Sequence, residues 1–258
     1  MITELNYHSD TSHISKSGLD LINRSPAHYW NRYLSGVYQE TENQAFKIGS
    51  AFHCLTLEPN EFKNRYAILN TYLDKRTKEG KTQLMDFMFE NHGKQILTRD
   101  EFTQVESMAV AVNQSIGGEL IEHGQAESIY TWQDMYTKTA CKCKPDFINA
   151  DGFIIDLKST EDATAQSFGY SARKYRYDVQ AAFYMDGLTS NGINTKGFIF
   201  IAVEKQAPFN VGIYQVDAQT LETGRNKYID NLNTYKDCLF TDDWTGIPNV
   251  IQTLQFPS

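Results

Sequence analysis

The chain reads as an α/β fold: a mixed β-sheet flanked by helices, with a helical extension at its N-terminal end. Three observations predict it. Between Lys142 and Ser159, two apolar runs, Cys143–Ile148 and Phe153–Leu157, flank Asn149-Ala150-Asp151-Gly152, the turn chemistry of a β-hairpin. Further strand-like runs lie at Glu127–Trp132, Gly197–Val203 and Val211–Val216. Apolar residues recur at helical spacing over Phe46–Leu57 and Arg99–Ile116, and a closing helix is expected over Ala218–Leu239.

Taken in order, the first fourteen residues are polar and expected to be extended. Ser15 or Ser17 caps a first helix carrying Leu19, Leu21 and Ile22. Ser25-Pro26 starts a second, because proline suits the first helical position. Residues 35–45 form a polar linker. The helix over Phe46–Leu57 then combines Ile48, Ala51, Phe52 and Leu55 with small Gly49 and Ser50, and His53 lies within it. Pro59 opens a short helix, and Lys75-Arg76-Thr77-Lys78-Glu79-Gly80-Lys81 reads as a basic loop. Gln83–Phe89 and Arg99–Ile116 are helical scaffold, stopped by Gly117-Gly118. Glu127–Trp132 alternates polar and apolar residues and is the expected first core strand, followed by a turn over 134–140. Beyond the hairpin, Phe168–Tyr177 is aromatic and basic, and a helix from Tyr177 places Gln180 and Tyr184 four apart on one face. The tail from Thr241 is expected to be irregular. No repeat or low-complexity segment divides the sequence. It is read as one domain over 1–258, with a helical N-terminal segment (1–45), a core (46–216) and a C-terminal helix and tail (217–258).

Hydrophobic residues make up 41% and charged residues 22%, the balance of a soluble globular enzyme. There is no run of eighteen apolar residues and no basic-then-apolar leader, so neither a membrane span nor a signal peptide is expected and the location read is cytoplasmic. Cys54, Cys141, Cys143 and Cys238 form no paired metal-binding spacing and are read as reduced thiols.

Chemistry concentrates in the hairpin. Asp146 falls in its first strand, and Asp156 and Lys158, two apart, share a face of its second. The flank Phe153-Ile154-Ile155 makes that strand look buried. Two carboxylates at ~4 Å repel by roughly 4 kcal/mol at an effective dielectric of about 20, and a divalent cation between them would remove the repulsion. On the residues alone, a surface hairpin with ordinary ion pairs is the commoner meaning of so short a pattern. His53 could be a packed core histidine, Glu127 an exposed strand-start carboxylate, and Gln180 with Tyr184 a packing face. The net charge of −8 disfavours a nucleic-acid partner unless the basic residues cluster. Two runs offer clusters, Arg76, Lys78 and Lys81 with Lys75, and Arg173, Lys174 and Arg176, although each also reads as a solvated helix end or loop. A helix beginning at Ser15–Ser17, with Lys16 or Arg24 nearby, could receive a terminal phosphate.

Pro145-Asp146…Asp156-Leu157-Lys158 resembles the motif of the PD-(D/E)XK nucleases. Its surroundings (SKSGLDLINRSPAHYWNRYL near the N-terminus, Gly49-Ser-Ala-Phe-His53, and Gln180-x-x-x-Tyr184) resemble the branch of RecE-type, exonuclease VIII-like phage exonucleases. λ exonuclease and the RecB nuclease domain are more distant relatives. The resemblance implies a restriction-endonuclease-like core. It implies Mg²⁺, replaceable by Mn²⁺, as one or two ions held by Asp146, Asp156 and the Leu157 carbonyl, with His53 and Glu127 completing the shell. Lys158 would position or deprotonate the water, and Gln180 and Tyr184 would orient the lysine or the scissile strand.

The function so implied is a metal-dependent exodeoxyribonuclease on linear double-stranded DNA. It would run 5′→3′ and leave 3′ single strands for recombination, with a homo-oligomeric ring and a single-strand annealing protein as partners. A structure-specific or single-strand endonuclease uses the same residues. A catalytically silent DNA- or protein-binding module is the third reading, disfavoured by the intact Asp146, Asp156 and Lys158.

Overall fold

A computed structural model describes residues 2–3, 6–38, 44–70, 73 and 76–254; Lys75 and residues 39–43 of the expected linker lie outside them. The N-terminal segment differs from the extended reading. Residues 6–9 turn, and the buried Lys142 ammonium donates to the carbonyls of Tyr7 (2.6 Å) and Asp10 (2.7 Å). Ile14 then bridges Cys141. A cation on an otherwise apolar strand gathers backbone oxygens because an unpartnered buried charge is too costly.

Helix α1 (Lys16–Arg24) is capped by Ser15, whose hydroxyl accepts from the Gly18 N–H. Helix α2 (Pro26–Tyr29) runs on as a π-helical turn over Trp30–Leu34. Helices α3 (Gln44–Leu57) and α4 (Pro59–Arg65) follow as expected. Three features correct the sequence reading. Strands β1 (Tyr66–Leu69) and β2 (Gln95–Thr98) pair in parallel where no strand was anticipated. The basic run is the start of a helix, α5 (Lys78–Glu90), because Thr77 caps it through the Gly80 N–H. Gly117-Gly118 sit inside a new short helix, α7 (Ile116–Leu120), after α6 (Arg99–Asn113) has ended. The Ser115 hydroxyl accepts from the Gly117 N–H and restarts the helix.

The remaining elements are β3 (Gly124–Ala126), β4 (Tyr130–Gln133), β5 (Ala140–Cys143), β6 (Phe147–Asn149), β7 (Phe153–Thr160), α8 (Ala165–Lys174), α9 (Tyr177–Ser190), β8 (Gly197–Glu204), β9 (Val211–Gln215) and α10 (Ala218–Thr241). The main sheet has the order β3-β6-β7-β8-β9, with β7–β8 parallel and the other pairs antiparallel. It is the mixed sheet that the sequence predicted. The expected hairpin is present as β6 and β7, with Phe147 opposite Ile155.

Alternation along β7 divides the core. Ile155 and Leu157 pack with Phe52 of α3 and Val105 and Met108 of α6. Ile154 packs on the other side with Phe198 and Phe200 of β8 and Ala181 of α9. Since strand side chains alternate, Asp156 and Lys158 share the face of Ile154 and point toward α9. Helix α10 closes over α9 so tightly that a Cβ at Gly224 would stand 2.1 Å from the Asp178 carbonyl oxygen. All four cysteines are free, and all are buried.

Candidate active site

The two long strand readings are both interrupted, and the interruptions build the site. Lys144-Pro145-Asp146 separates β5 from β6, and Glu127 separates β3 from β4. Asp146 and Glu127 therefore lie between strands rather than within them. Glu127 has φ 52°, a left-handed conformation uncommon outside glycine. Its N–H donates to the Asp146 carbonyl at 3.0 Å, and its carboxylate meets the Lys144 ammonium at 2.5 Å. This double tie turns both carboxylates the same way.

His53 reaches them from α3, its Nδ1 3.3 Å from Asp146 Oδ2. Asp146 Oδ2 also accepts from the Leu157 N–H at 2.8 Å. One donor atom each from His53, Glu127 and Asp146 lies within 4.8 Å of the others. Asp156, 1% exposed, stands beside this cluster but is differently engaged. Its Oδ1 pairs with the Lys158 ammonium, and its Oδ2 accepts from Gln180 Nε2 at 2.5 Å. Gln180 thus holds Asp156, the partner of the lysine that sequence reasoning had it orient. Leu157 enters through its N–H, in addition to the carbonyl ligand that the resemblance implied. Tyr184 lines the same cleft.

The electrostatics suit a cation. Burial first, and the Asp146 charge second, raise the Asp156 pKa to about 6, although Lys158 opposes the shift. Burial also raises Asp146, and Glu127 is raised by burial and then by Asp146. The His53 pKa is lowered, by burial and then by Lys158, which favours the neutral imidazole that a metal requires. For Lys158, burial is outweighed by Asp156 and Asp146 and the pKa is raised. Two carboxylates and a neutral imidazole, crowded and desolvated, fit a divalent cation of the hard or borderline kind.

The sign of the pH dependence follows. A carboxyl group whose folded-state pKa lies above its unfolded value stabilises the fold at low pH, and that stabilisation is lost as pH rises through the folded value. With Asp156 at about 6, the metal-free protein should lose roughly 2 kcal/mol from this group between pH 4 and pH 7. Thermal melts in chelator should show the Tm falling across that interval, and Mn²⁺ should reverse the fall at pH 7. A chelated Tm that rises from pH 5 to 7 would contradict the crowding.

Around the cluster lies a cleft of about 1290 Å³. Its lining includes nine lysines and arginines against five aspartates and glutamates, in a chain whose formal charge is −8. Clustering of basic residues, which the sequence reading required, therefore occurs, but Arg65, Lys142, Lys144 and Lys205 join it unforeseen. Arg76, Lys78 and Lys81 are exposed and do not line the cleft. Arg173 is exposed and outside the lining, whereas Lys174 and Arg176 are within it. Arg176 is a clamp: its guanidinium donates to Asp20 Oδ1 (3.1 Å), Asn231 Oδ1 (2.5 Å) and the Leu19 carbonyl (3.3 Å). Replacing it with alanine should cost about 2–4 kcal/mol by chemical denaturation, because partly buried acceptors lose a charged donor. A pure phosphate contact would instead weaken DNA binding and leave the unfolding midpoint in place.

Ser15, Lys16, Ser17 and Arg24 line the cleft too. The Ser15 hydroxyl serves its helix cap, and Lys16 pairs with Asp20 at 2.7 Å and donates to the Tyr175 carbonyl at 2.7 Å. Sequence reasoning missed Lys144, although its position two before Asp146 in an apparent strand was a readable signal. It also missed Tyr177, whose ring lies 4.9 Å from the Lys158 ammonium. Among the described residues, no helix is long and apolar enough to cross a membrane.

Comparison with known proteins agrees with this architecture. The profile of a "PDDEXK-like domain of unknown function (DUF3799)" matches residues 15–253. No curated protein matches the sequence. Among solved structures, a "Putative exonuclease" from Eubacterium rectale is similar with a TM-score of 0.69 at 18% identity, over 100% of this chain and 96% of that one. A phage-related exonuclease from Haemophilus somnus gives a TM-score of 0.34 at 12% identity, over 65% and 85% of the two chains. An alkaline exonuclease from Laribacter hongkongensis gives 0.31 at 9% identity, over 93% and 97%. The first of these supports the fold; the other two are too remote in shape to guide an assignment.

Proposed function

We propose a nuclease function from one premise: the chain belongs to the PDDEXK-like domain family (DUF3799). The reaction is metal-dependent hydrolysis of phosphodiesters in linear double-stranded DNA, from the 5′ end, leaving a 3′ single strand suited to annealing in recombination. The observation that carries the reading is the joining of His53, Glu127 and Asp146 to the Asp156–Lys158 pair in a basic cleft of an acidic protein.

Asp146, Glu127 and His53 are the residues that would hold Mg²⁺ or Mn²⁺, with Asp156 beside them. What a divalent cation supplies when bound is charge neutralisation at the phosphoryl group and a more acidic water. The chain supplies the rest. Lys158 is kept at the mouth of the acid cluster by Asp156 and by the Tyr177 ring, where its ammonium can orient a water and offset phosphoryl charge. Gln180 fixes the Asp156 carboxylate, and the Leu157 N–H fixes that of Asp146. Lys174, exposed on the cleft wall, is the cation we assign to backbone phosphate contact. A ring of copies and an annealing partner belong to the proposal through the RecE-type resemblance.

The test is incubation of linear and closed-circular duplex with Mg²⁺ and with chelator. Metal-dependent loss of the linear form alone is expected. Nicking of the circle would replace the exonuclease with an endonuclease, and loss of neither would reduce the protein to a binding module.

A further inference from the structure

Between α8 and α9 the chain makes a sharp corner. Arg176 has φ 55°, a conformation that a non-glycine residue adopts only when its surroundings hold it. Here they hold it from both sides of the corner. The Arg176 clamp ties it to Asp20, Leu19 and Asn231, and the Lys16 ammonium, 2.7 Å away, fixes the Tyr175 carbonyl. The consequence is a fixed position for the Tyr175 side chain, which projects into the cleft and is 51% exposed.

The ring of Tyr175 is the outer member of a stacked column. It lies 5.9 Å from Tyr177 at an interplanar angle of 26°, and Tyr177 lies 5.2 Å from Phe200, also at 26°. Phe200 is core, and the middle ring carries the Lys158 ammonium at 4.9 Å. The column therefore runs from the sheet, past the lysine of the reaction site, to a half-exposed aromatic in a basic cleft. Exposed Lys174, 5.3 Å from the Tyr175 centroid, would exchange that ring for a phosphate if a flat group took its place.

Resting on the nuclease reading above, we propose that Tyr175 is a stacking platform for a nucleobase of the strand being cut, one step from the phosphodiester that faces Lys158. Every base has a π-face, so the contact would hold the strand in register without regard to sequence. It would favour a frayed or single-stranded end, whose bases are free to leave the duplex stack.

The experiment uses the full-length protein in Ca²⁺ buffer with oligonucleotides carrying 2-aminopurine at successive positions of a frayed 5′ end. Wild type, Tyr175→Phe and Tyr175→Trp should quench one position strongly. Tyr175→Leu, similar in apolar surface but lacking a π-face, should abolish that quench and bind the oligonucleotide roughly 5- to 150-fold more weakly, as expected for loss of one base–aromatic stack. Its Tm should match wild type, because the ring is half-exposed. Quenching and affinity unchanged in Tyr175→Leu would overturn the platform, as would a Tm drop shared by Tyr175→Leu and Tyr175→Phe. Mg²⁺-dependent degradation of linear duplex by wild type, run beside it, separates the two failures. Degradation without a Tyr175 effect sinks only the platform, whereas absence of both degradation and binding sinks the nuclease reading as well.

Discussion

Asp146→Asn should lose at least about 10³-fold in metal-dependent cleavage, equivalent to roughly 4 kcal/mol of barrier, while the metal-free protein becomes more stable at neutral pH. Asp146 is where the site's contacts converge. It lies 3.3 Å from His53, accepts from the Leu157 N–H, and carries one of the three donor atoms drawn together in the cleft. Asparagine keeps an acceptor for the Leu157 N–H, so no buried donor is orphaned. It removes the negative charge that raises both Asp156 and Glu127. The neighbouring carboxyls should then titrate lower, and the crowding penalty should fall. Mn²⁺ titration calorimetry, chelated melts and duplex degradation separate the three effects. A variant that cleaves normally, or one whose chelated Tm falls by several degrees, would show that Asp146 is structural and that the cation site lies elsewhere.

This opposition of stability and chemistry explains what the sequence could and could not reveal. Asp156 and Lys158 were legible because both lie in one uninterrupted strand, where a spacing of two fixes a shared face. Gln180 and Tyr184 were legible for the helical equivalent of that reason. The same logic failed for Asp146 and Glu127, whose strands break at those residues. Pro145 was the local hint for one break; for the other, a left-handed glutamate, the alternation of Glu127–Trp132 concealed it. The parallel pair β1–β2 was missed because Tyr66–Leu69 and Gln95–Thr98 are four residues each, too short to show a period. Basic runs misled for a different reason. Charge adjacent in sequence is spread around a helix, so Arg76, Lys78 and Lys81 mark only the exposed start of α5. The cleft's cations instead come from α1, α4, β5, β7, α8 and the loops, a clustering that only the fold creates. Tyr175 and Tyr177 lay within a run recognised as aromatic and basic, but which rings stack depends on the corner at Arg176.

Lys158→Met is expected to lower cleavage by a further order of magnitude or more beyond any change in metal affinity, and in total by about 10³-fold or more. The distinction rests on where the lysine sits. Its ammonium contacts Asp156, outside the three donor atoms from His53, Glu127 and Asp146, so its loss removes no donor from that group. Methionine is chosen because it keeps an unbranched stem beside the rings of Tyr177 and Phe200, whose centroids lie 4.9 Å and 5.9 Å from the ammonium, and removes the charge. Asp156 then keeps its hydrogen bond from Gln180, and burial without the opposing cation should raise its pKa above about 6. In chelator the variant should therefore hold its stability to a higher pH than a simple loss of an ion pair would suggest, since the protonated acid needs no cation. Mn²⁺ affinity should stay within about tenfold of wild type, a difference of 1.4 kcal/mol or less. Single-turnover cleavage at saturating metal should carry the remaining loss. Lys158→Arg, which restores charge in a wider planar group, should recover only part of it, because a guanidinium cannot occupy the position of a compact ammonium without displacing Tyr177. If Mn²⁺ affinity collapses together with turnover in Lys158→Met, the lysine serves to assemble the acid cluster and has no separate part in the reaction.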